Sequence, residues 1–244
     1  MFVPERHRQL ATLLDVQPTS HVADLGCGRG DTLLEIAALL GPSGSLVGVD
    51  YRPSPPPAPL AGDPRLTLID ADLAEALPFE AGTFDRVVCQ NVLECLADPD
   101  AFLSEIWRVL VPGGLLVLGH SDFDTIVFTS EDLALTRRLV HCYCDTTQKW
   151  MRQSDGTTGR KLVGIAARSP FEVHGVHAWV NVLTSFESGS PGHQAAHAVA
   201  DIGRRHPTID NEAIDEWLAG LQRLADADAF LYSVNDYAVL IGKT

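Results

Sequence analysis

The sequence predicts an α/β fold, in which strands and helices alternate around a mostly parallel sheet. Three observations predict it. A short buried run, Val22-Ala23-Asp24-Leu25, leads into Gly26-Cys27-Gly28-Arg29-Gly30, and Leu33, Ile36, Ala37 and Leu40 then recur at helical spacing. Strand-length apolar runs recur at 46–50, 66–69, 86–89 and 115–118. The chain has 244 residues and is 45% hydrophobic, enough for one large domain or a domain with a lid.

The elements follow in order. Residues 4–15 read as a helix, with Pro4 allowed in a first turn and Leu10, Leu13 and Leu14 on one side. The first strand and glycine turn span 21–30. The next helix runs to about Leu40, where Gly41-Pro42-Ser43-Gly44 stops it. Residues 46–50 are the second strand. The run Arg52-Pro53-Ser54-Pro55-Pro56-Pro57-Ala58-Pro59 excludes a helix, because proline lacks the donor and disfavours helix in the residue before it. An extended surface connection is expected there. Residues 66–69 and 86–89 are the third and fourth strands. Asp98-Pro99 starts a helix as N-cap and first helical residue, with Leu103, Ile106, Trp107 and Leu110 as its buried stripe. Pro112-Gly113-Gly114 breaks it ahead of the fifth strand, 115–118. A helix opens at Ser130 and runs to about Cys144, 145–160 reads as a loop, and 162–168 as a short helix. Residues 171–183 fit a sixth strand, about 191–205 and 210–226 two helices, and 230–241 a seventh strand. His174 and His177 differ by an odd number, so strict alternation puts them on opposite faces of the sixth strand.

Glycines without Cβ atoms let backbone approach a ligand closely, and a helix N-terminus follows directly. A lone Gly-x-Gly is also an ordinary surface turn; the strand before it and the helix after it favour a cofactor cradle. A dinucleotide fingerprint wants a small third residue at position 31, where this chain has Asp31. Asp24 and Asp31 instead suit a phosphate-free cofactor carrying an amino acid and a sulfonium cation. In its acidic-x-Gly-x-Gly-x-Gly pattern, Asp24 to Gly30, and in Arg108-Val109-Leu110-x-Pro112-Gly113-Gly114, the sequence resembles the class I S-adenosylmethionine-dependent methyltransferases. It is most similar to the small-molecule branch that includes the ubiquinone and menaquinone methyltransferases. The resemblance covers about residues 20–120.

That resemblance implies a Rossmann-like, mostly parallel seven-stranded sheet with an antiparallel last strand, helices on both faces and a helical lid insertion. It implies one domain over 1–244, with a cofactor-binding half at 20–120 and an acceptor half at 121–244. Residues 186–228 are expected to form a lid or a homodimer contact. The implied cofactor is S-adenosyl-L-methionine, held by Asp24, Gly26, Cys27, Gly28 and Gly30, with Asp50 and Tyr51 at the ribose. Asp72 is implied at the adenine amino group and the Leu73 amide at a ring nitrogen, with Asp70 as competitor. Gln90 and Asn91 border the methionine end. Asp50 also stands on its own: it ends a strand about twenty residues past the turn, where a carboxylate accepts hydrogen bonds from ribose hydroxyls. A solvated strand-end aspartate is the plainer alternative.

Composition narrows the acceptor. A formal net charge of −14 disfavours nucleic acid, since phosphate contacts need a basic surface. The stretch after the fourth strand also lacks the Asn/Asp-Pro-Pro-aromatic motif of methyltransferases that act on nucleobase amines. No apolar run is long enough to span a membrane, and Met1-Phe2-Val3-Pro4-Glu5 carries no secretory signature, so a cytoplasmic protein is expected. Cys27, Cys89, Cys95, Cys142 and Cys144 have no framework spacing and read as reduced, buried residues. His141-Cys142-x-Cys144 is too short for a tetrahedral metal pair and no second pair follows, so no metal is expected.

Methyl transfer from a sulfonium needs positioning and desolvation first, and a base when the acceptor is a hydroxyl or an activated carbon. His120, Asp122 and Glu94 lie near the expected mouth, and His120 is the candidate base or acceptor-orienting group. The expected activity is methyl transfer to a small soluble metabolite or natural product. The alternatives are a nucleotide-dependent oxidoreductase on a similar sheet and a non-catalytic S-adenosylmethionine-binding protein.

Overall fold

Buried runs of valine, leucine and isoleucine cannot leave their amides unpaired, so they assemble edge to edge. The computed structural model, which describes residues 4–152 and 156–244, shows one seven-stranded sheet. Its strands are β1 (His21–Leu25), β2 (Ser45–Asp50), β3 (Leu66–Asp70), β4 (Phe84–Gln90), β5 (Leu110–Phe128), β6 (Glu172–Leu183) and β7 (Tyr232–Gly242). The order is β3-β2-β1-β4-β5-β7-β6. Strands β1 to β5 are parallel; β7 runs antiparallel to both of its neighbours, β5 and β6. The strand order therefore reverses between β1 and β4, where open α/β sheets bind ligands.

The helices are α1 (Pro4–Leu13), α2 (Asp31–Ala37), α3 (Pro99–Val109), α4 (Leu133–Asp145), α5 (Thr158–Arg168), α6 (Pro191–Gly203) and α7 (Asn211–Asp226). Leu10 and Leu14 at the α1 end, with Leu33 and Ile36 of α2, pack on Val22, Val88 and Val117 on one face. Leu103 and Ile106 of α3 and Leu162 of α5 pack on Ala23, Val87 and Leu116 on the other. Each such fully buried side chain contributes about 1.5–3 kcal/mol. A third core joins Leu139 of α4, Val199 of α6 and Ile214 and Trp217 of α7 around Phe128, Phe230 and Tyr232. It sits past the carboxyl end of the parallel strands, where β5 and β7 outrun the rest of the sheet.

Several elements differ from the sequence reading. β5 continues to Phe128, because β7 keeps pairing with it beyond Asp122 after a break in register. Thr125 bridges that break: its Oγ1 donates to Asp122 O at 2.6 Å and accepts from Asn235 N at 2.9 Å. α5 starts at Thr158 rather than 162, with Asp122 accepting from the Arg160 amide at 3.2 Å in its first turn. Residues 153–155 of the expected 145–160 loop lie outside the described residues. The proline run is irregular up to Pro57 and then makes a 3-10 turn, Ala58–Leu60, since proline tolerates a first turn whose amides need no partner. That connection is anchored, with Leu60 buried and Pro57 against Gly30. His174 and His177 share a face after all. A bulge between Val173 and Gly175 breaks the alternation, and their rings lie where side chains on Gly242 and Gly175, same-face residues, would project. Cys95 and Cys142 are only partly buried; all five cysteines are free thiols.

A candidate methyl-donor site at the sheet switch point

β1 and β2 leave the sheet side by side, so their ends share one crevice. Gly26, Gly28 and Gly30 have φ of 81°, 52° and 82°, the left-handed region that a Cβ makes costly. The amides of Gly26 and Cys27 both donate to Val49 O, at 2.7 and 3.0 Å. The Gly28 amide donates to Asp50 Oδ2 at 2.7 Å. A Cβ on Gly26 would strike Val92, whereas one on Gly28 would meet no protein atom within 4 Å. The space over Gly28 is open to a ligand.

Two clefts meet at Gly26, Gly28 and Asn91. The larger, 720 Å³, is lined by Asp50, Tyr51, Asp72, Leu73, Val92, Cys95, Leu96, Lys149, Trp150 and Arg152. The smaller, 280 Å³, adds Arg6, His7, Cys27, Arg29, Asp31, Thr32, Gln90, Pro191 and Gln194. Asp72 Oδ1 accepts from the Ala74 amide at 2.9 Å, while Asp70 is turned to the Arg52 amide at 3.0 Å and lines neither cleft.

Of the residues expected around the cofactor, the structure brings Gly26, Cys27, Gly28, Asp50, Tyr51, Asp72, Leu73, Gln90 and Asn91 to these clefts. Asp24 and Gly30 line neither. Asp24 is 2% exposed beneath the turn, with Oδ2 unpartnered. Burial, and then the neighbouring Asp50 carboxylate, push its carboxyl up to about 8. Gly30 is the left-handed N-cap of α2, where a Cβ would fall 2.8 Å from Pro57 Cδ. Its role is to turn the chain.

His120 also lines neither cleft: it is fully buried. Asp122, equally buried, has both carboxylate oxygens bound by the Arg160 guanidinium, at 2.6 and 2.7 Å.

A polar cluster beside the mouth went unread in the sequence. Asn91, at φ 55°, accepts from the Ser121 amide at 2.9 Å through Oδ1, which also receives Gln90 Nε2 at 3.1 Å. Ser121 Oγ donates to Asp236 Oδ1 at 2.6 Å. Arg6 Nε and Asn181 Nδ2 both donate to Asp236 Oδ2, each at 2.5 Å. Asp236 is fully buried, so this is a desolvated ion pair held by further hydrogen bonds. His7, whose imidazole burial lowers to about 4, lies 2.8 Å from Thr32 Oγ1. The available signal was polar residues inside apolar runs: Asn181 between Val180 and Val182, and Asn235-Asp236 between Val234 and Tyr237.

Known proteins resemble this chain in sequence and in fold. Residues 23–118 match the family described as a methyltransferase domain. The chain is 33% identical over 162 residues to an uncharacterized 37.1 kDa transposon protein of Streptomyces fradiae, covering 66% of this chain and 46% of that one. It is 35% identical over 116 residues to a demethylmenaquinone methyltransferase of Symbiobacterium thermophilum, 46% of each chain. The chain spans about half the length of the curated relatives it matches. A cyclopropane-fatty-acyl-phospholipid synthase-like protein of Lactobacillus casei has the same fold, with TM-score 0.62, 18% identity and coverage of 98% of this chain and 90% of that one.

Residues 23–118 thus form a methyltransferase domain on a Rossmann-like sheet. It is a class I S-adenosylmethionine-dependent domain, similar to the ubiquinone and menaquinone methyltransferases. The open approach to Gly28, the strand-end carboxylate of Asp50 and the carboxylate of Asp72 just past β3 fit a nucleoside.

Proposed function

We propose that this chain transfers a methyl group from S-adenosylmethionine to a small-molecule acceptor. The observation that carries this reading is the Asp50 carboxylate, fixed by the Gly28 amide at 2.7 Å and facing the 720 Å³ cleft beside Asp72. When bound, S-adenosylmethionine supplies a methyl group on a positively charged leaving group; the chain must position it and exclude water. Asp50 and Tyr51 hold the ribose. Asp72 and the Leu73 amide hold the adenine edge. The smaller cleft, with Arg6, Thr32 and the Gln90-Asn91 turn, takes the amino-acid end. Asp24 and Gly30 act from beneath, shaping the turn rather than touching the ligand.

In this reading residues 20–120 bind the donor and 121–244 form the acceptor half, with 186–228 as a roof over the site or a contact with a second copy. No described helix is long and apolar enough to cross a membrane. The charge of −14 supports a soluble metabolite rather than a nucleic acid as acceptor, in the cytoplasm.

Calorimetry on ligand-stripped protein tests the proposal. S-adenosylmethionine and S-adenosylhomocysteine should both bind at micromolar level, about −8 kcal/mol. No heat and no thermal shift with either compound overturns it.

A further inference from the structure

β6 turns apolar side chains outward. After the bulge at His174, the run from Gly175 to Leu183 pairs one for one with β7, from Leu240 back to Tyr232. Alternation puts Val176, Ala178, Val180 and Val182 on one face, and all four are exposed. Trp179, Asn181 and Leu183 on the other face are partly or fully buried. A strand with one solvated face ordinarily carries its polar residues there. Instead, four of the ten large apolar side chains exposed among the described residues stand on this one strand: Val173, Val176, Val180 and Val182. Asn181 donates to buried Asp236, which pins the register, so the strand cannot slip by one residue to bury its valines.

β6 is also the last strand of the sheet, and no described strand pairs with its other edge. Natural edges are blunted by charge, proline, short length or a cover. The run 175–183 carries no proline and no Asp, Glu, Lys or Arg. α5 touches β6 yet leaves the four outward residues exposed.

We propose that β6 pairs edge to edge with β6 of a second copy, antiparallel about a two-fold axis at Trp179. Full overlap of 175–183 with its own reversed copy centres on its fifth residue, Trp179. That register sets Val176 beside Val182 of the partner subunit, and Ala178 beside Val180 of the partner subunit. The two-fold makes each contact twice, and each outward valine gains an apolar cross-strand neighbour. Charge selects the occupant. A chain of net charge −14 repels its own copy, and the repulsion is least along an uncharged run. A cationic partner finds no carboxylate in 175–183 to bind. A pairing about 30 Å long belongs at the low end of specific interfaces, about 1,000 Å² in total, so a dimer of micromolar affinity is expected. The proposal assigns the second-copy contact to β6 rather than to 186–228. It does not depend on the methyl-transfer reading, since β6 lines neither cleft.

Sedimentation equilibrium between about 1 and 100 µM tests it. The parent should pass from one chain to two across that range. Val180→Lys should weaken the dimer by about tenfold or more, because each copy brings a charge into the seam, while circular dichroism stays as in the parent. Val176→Lys should do the same. Adding Val182→Glu to Val176→Lys should recover about threefold or more of that loss, because the register sets the new positive charge of each copy against the new negative charge of the other. A parent that remains one chain throughout overturns the proposal, as does an undiminished dimer in either folded single variant. A double variant no stronger than Val176→Lys overturns the register about Trp179.

Discussion

In the larger cleft, Asp50 and Asp72 each accept one backbone amide from a nearby turn, Gly28 and Ala74, and otherwise face open space. In the polar cluster beside it, Asp236 is fully buried and saturated by Arg6, Ser121 and Asn181. The first pair is built from residues within about fifty positions of one another; the second joins α1, β5, β6 and β7. The contrast separates two uses of a carboxylate. One faces an open cleft and is held by a single backbone amide. The other fixes the geometry of the mouth and costs dearly if broken.

The largest expected effect lies on the ligand-facing side. Gly28→Val should abolish donor binding in calorimetry, because its side chain enters space that no protein atom occupies; circular dichroism keeps the folded signature, while strain of a β-branched residue at φ 52° lowers stability by about 1–2 kcal/mol. Asp236→Ala should invert that pattern. Removing one partner of a buried ion pair costs about 3 kcal/mol in denaturant unfolding, since Arg6 is left uncompensated. A melt unchanged by Asp236→Ala would dissolve the distinction between the two regions.

Asp50→Ala should weaken the donor by about 1.5–3 kcal/mol with little change in unfolding. Asp24 sharpens the comparison through pH. Its folded value of about 8 lies above the ordinary 3.8, so the donor-free protein holds this proton at neutrality. A raised carboxyl value means stability is greatest below about 4 and falls as pH climbs to about 8, because the unfolded chain releases the proton first. The cationic donor favours the carboxylate, so binding should release up to about one proton and tighten between pH 6 and 8. Calorimetry in buffers of different protonation enthalpy reads that proton; no buffer dependence removes Asp24 from the account. Asp72→Ala should be the mildest, about 1.5 kcal/mol in calorimetry, since only one hydrogen bond to its carboxylate is lost.

The ligand-facing side was also the legible one. Asp50 could be read because a strand, a turn and a helix start are local patterns, and strand ends follow from them. The ion pair of Arg6 with Asp236 could not, because it depends on β7 entering between β5 and β6. No periodicity reports which strands are neighbours. The extension of β5 to Phe128 was hidden for a related reason: its pairing resumes only after Thr125 spans the broken register. His174 and His177 were misplaced because a bulge is a two-strand property, invisible along one strand. His120 was identified as an ionisable group near the mouth, but its burial and its companion Glu94 come from how the 93–95 turn folds over β5.

The position of β7 also sets an order of assembly. β6 emerges from the ribosome roughly sixty residues before β7, the strand it pairs with, at a few residues per second or faster. During that interval an edge carrying Val176, Val180 and Val182 on one side has nothing to pair with. The parallel half can meanwhile close on its own helices. A chain shortened to end before Phe230 would therefore keep a foldable parallel core yet lose β6, the buried ion pair and the third core in a single step.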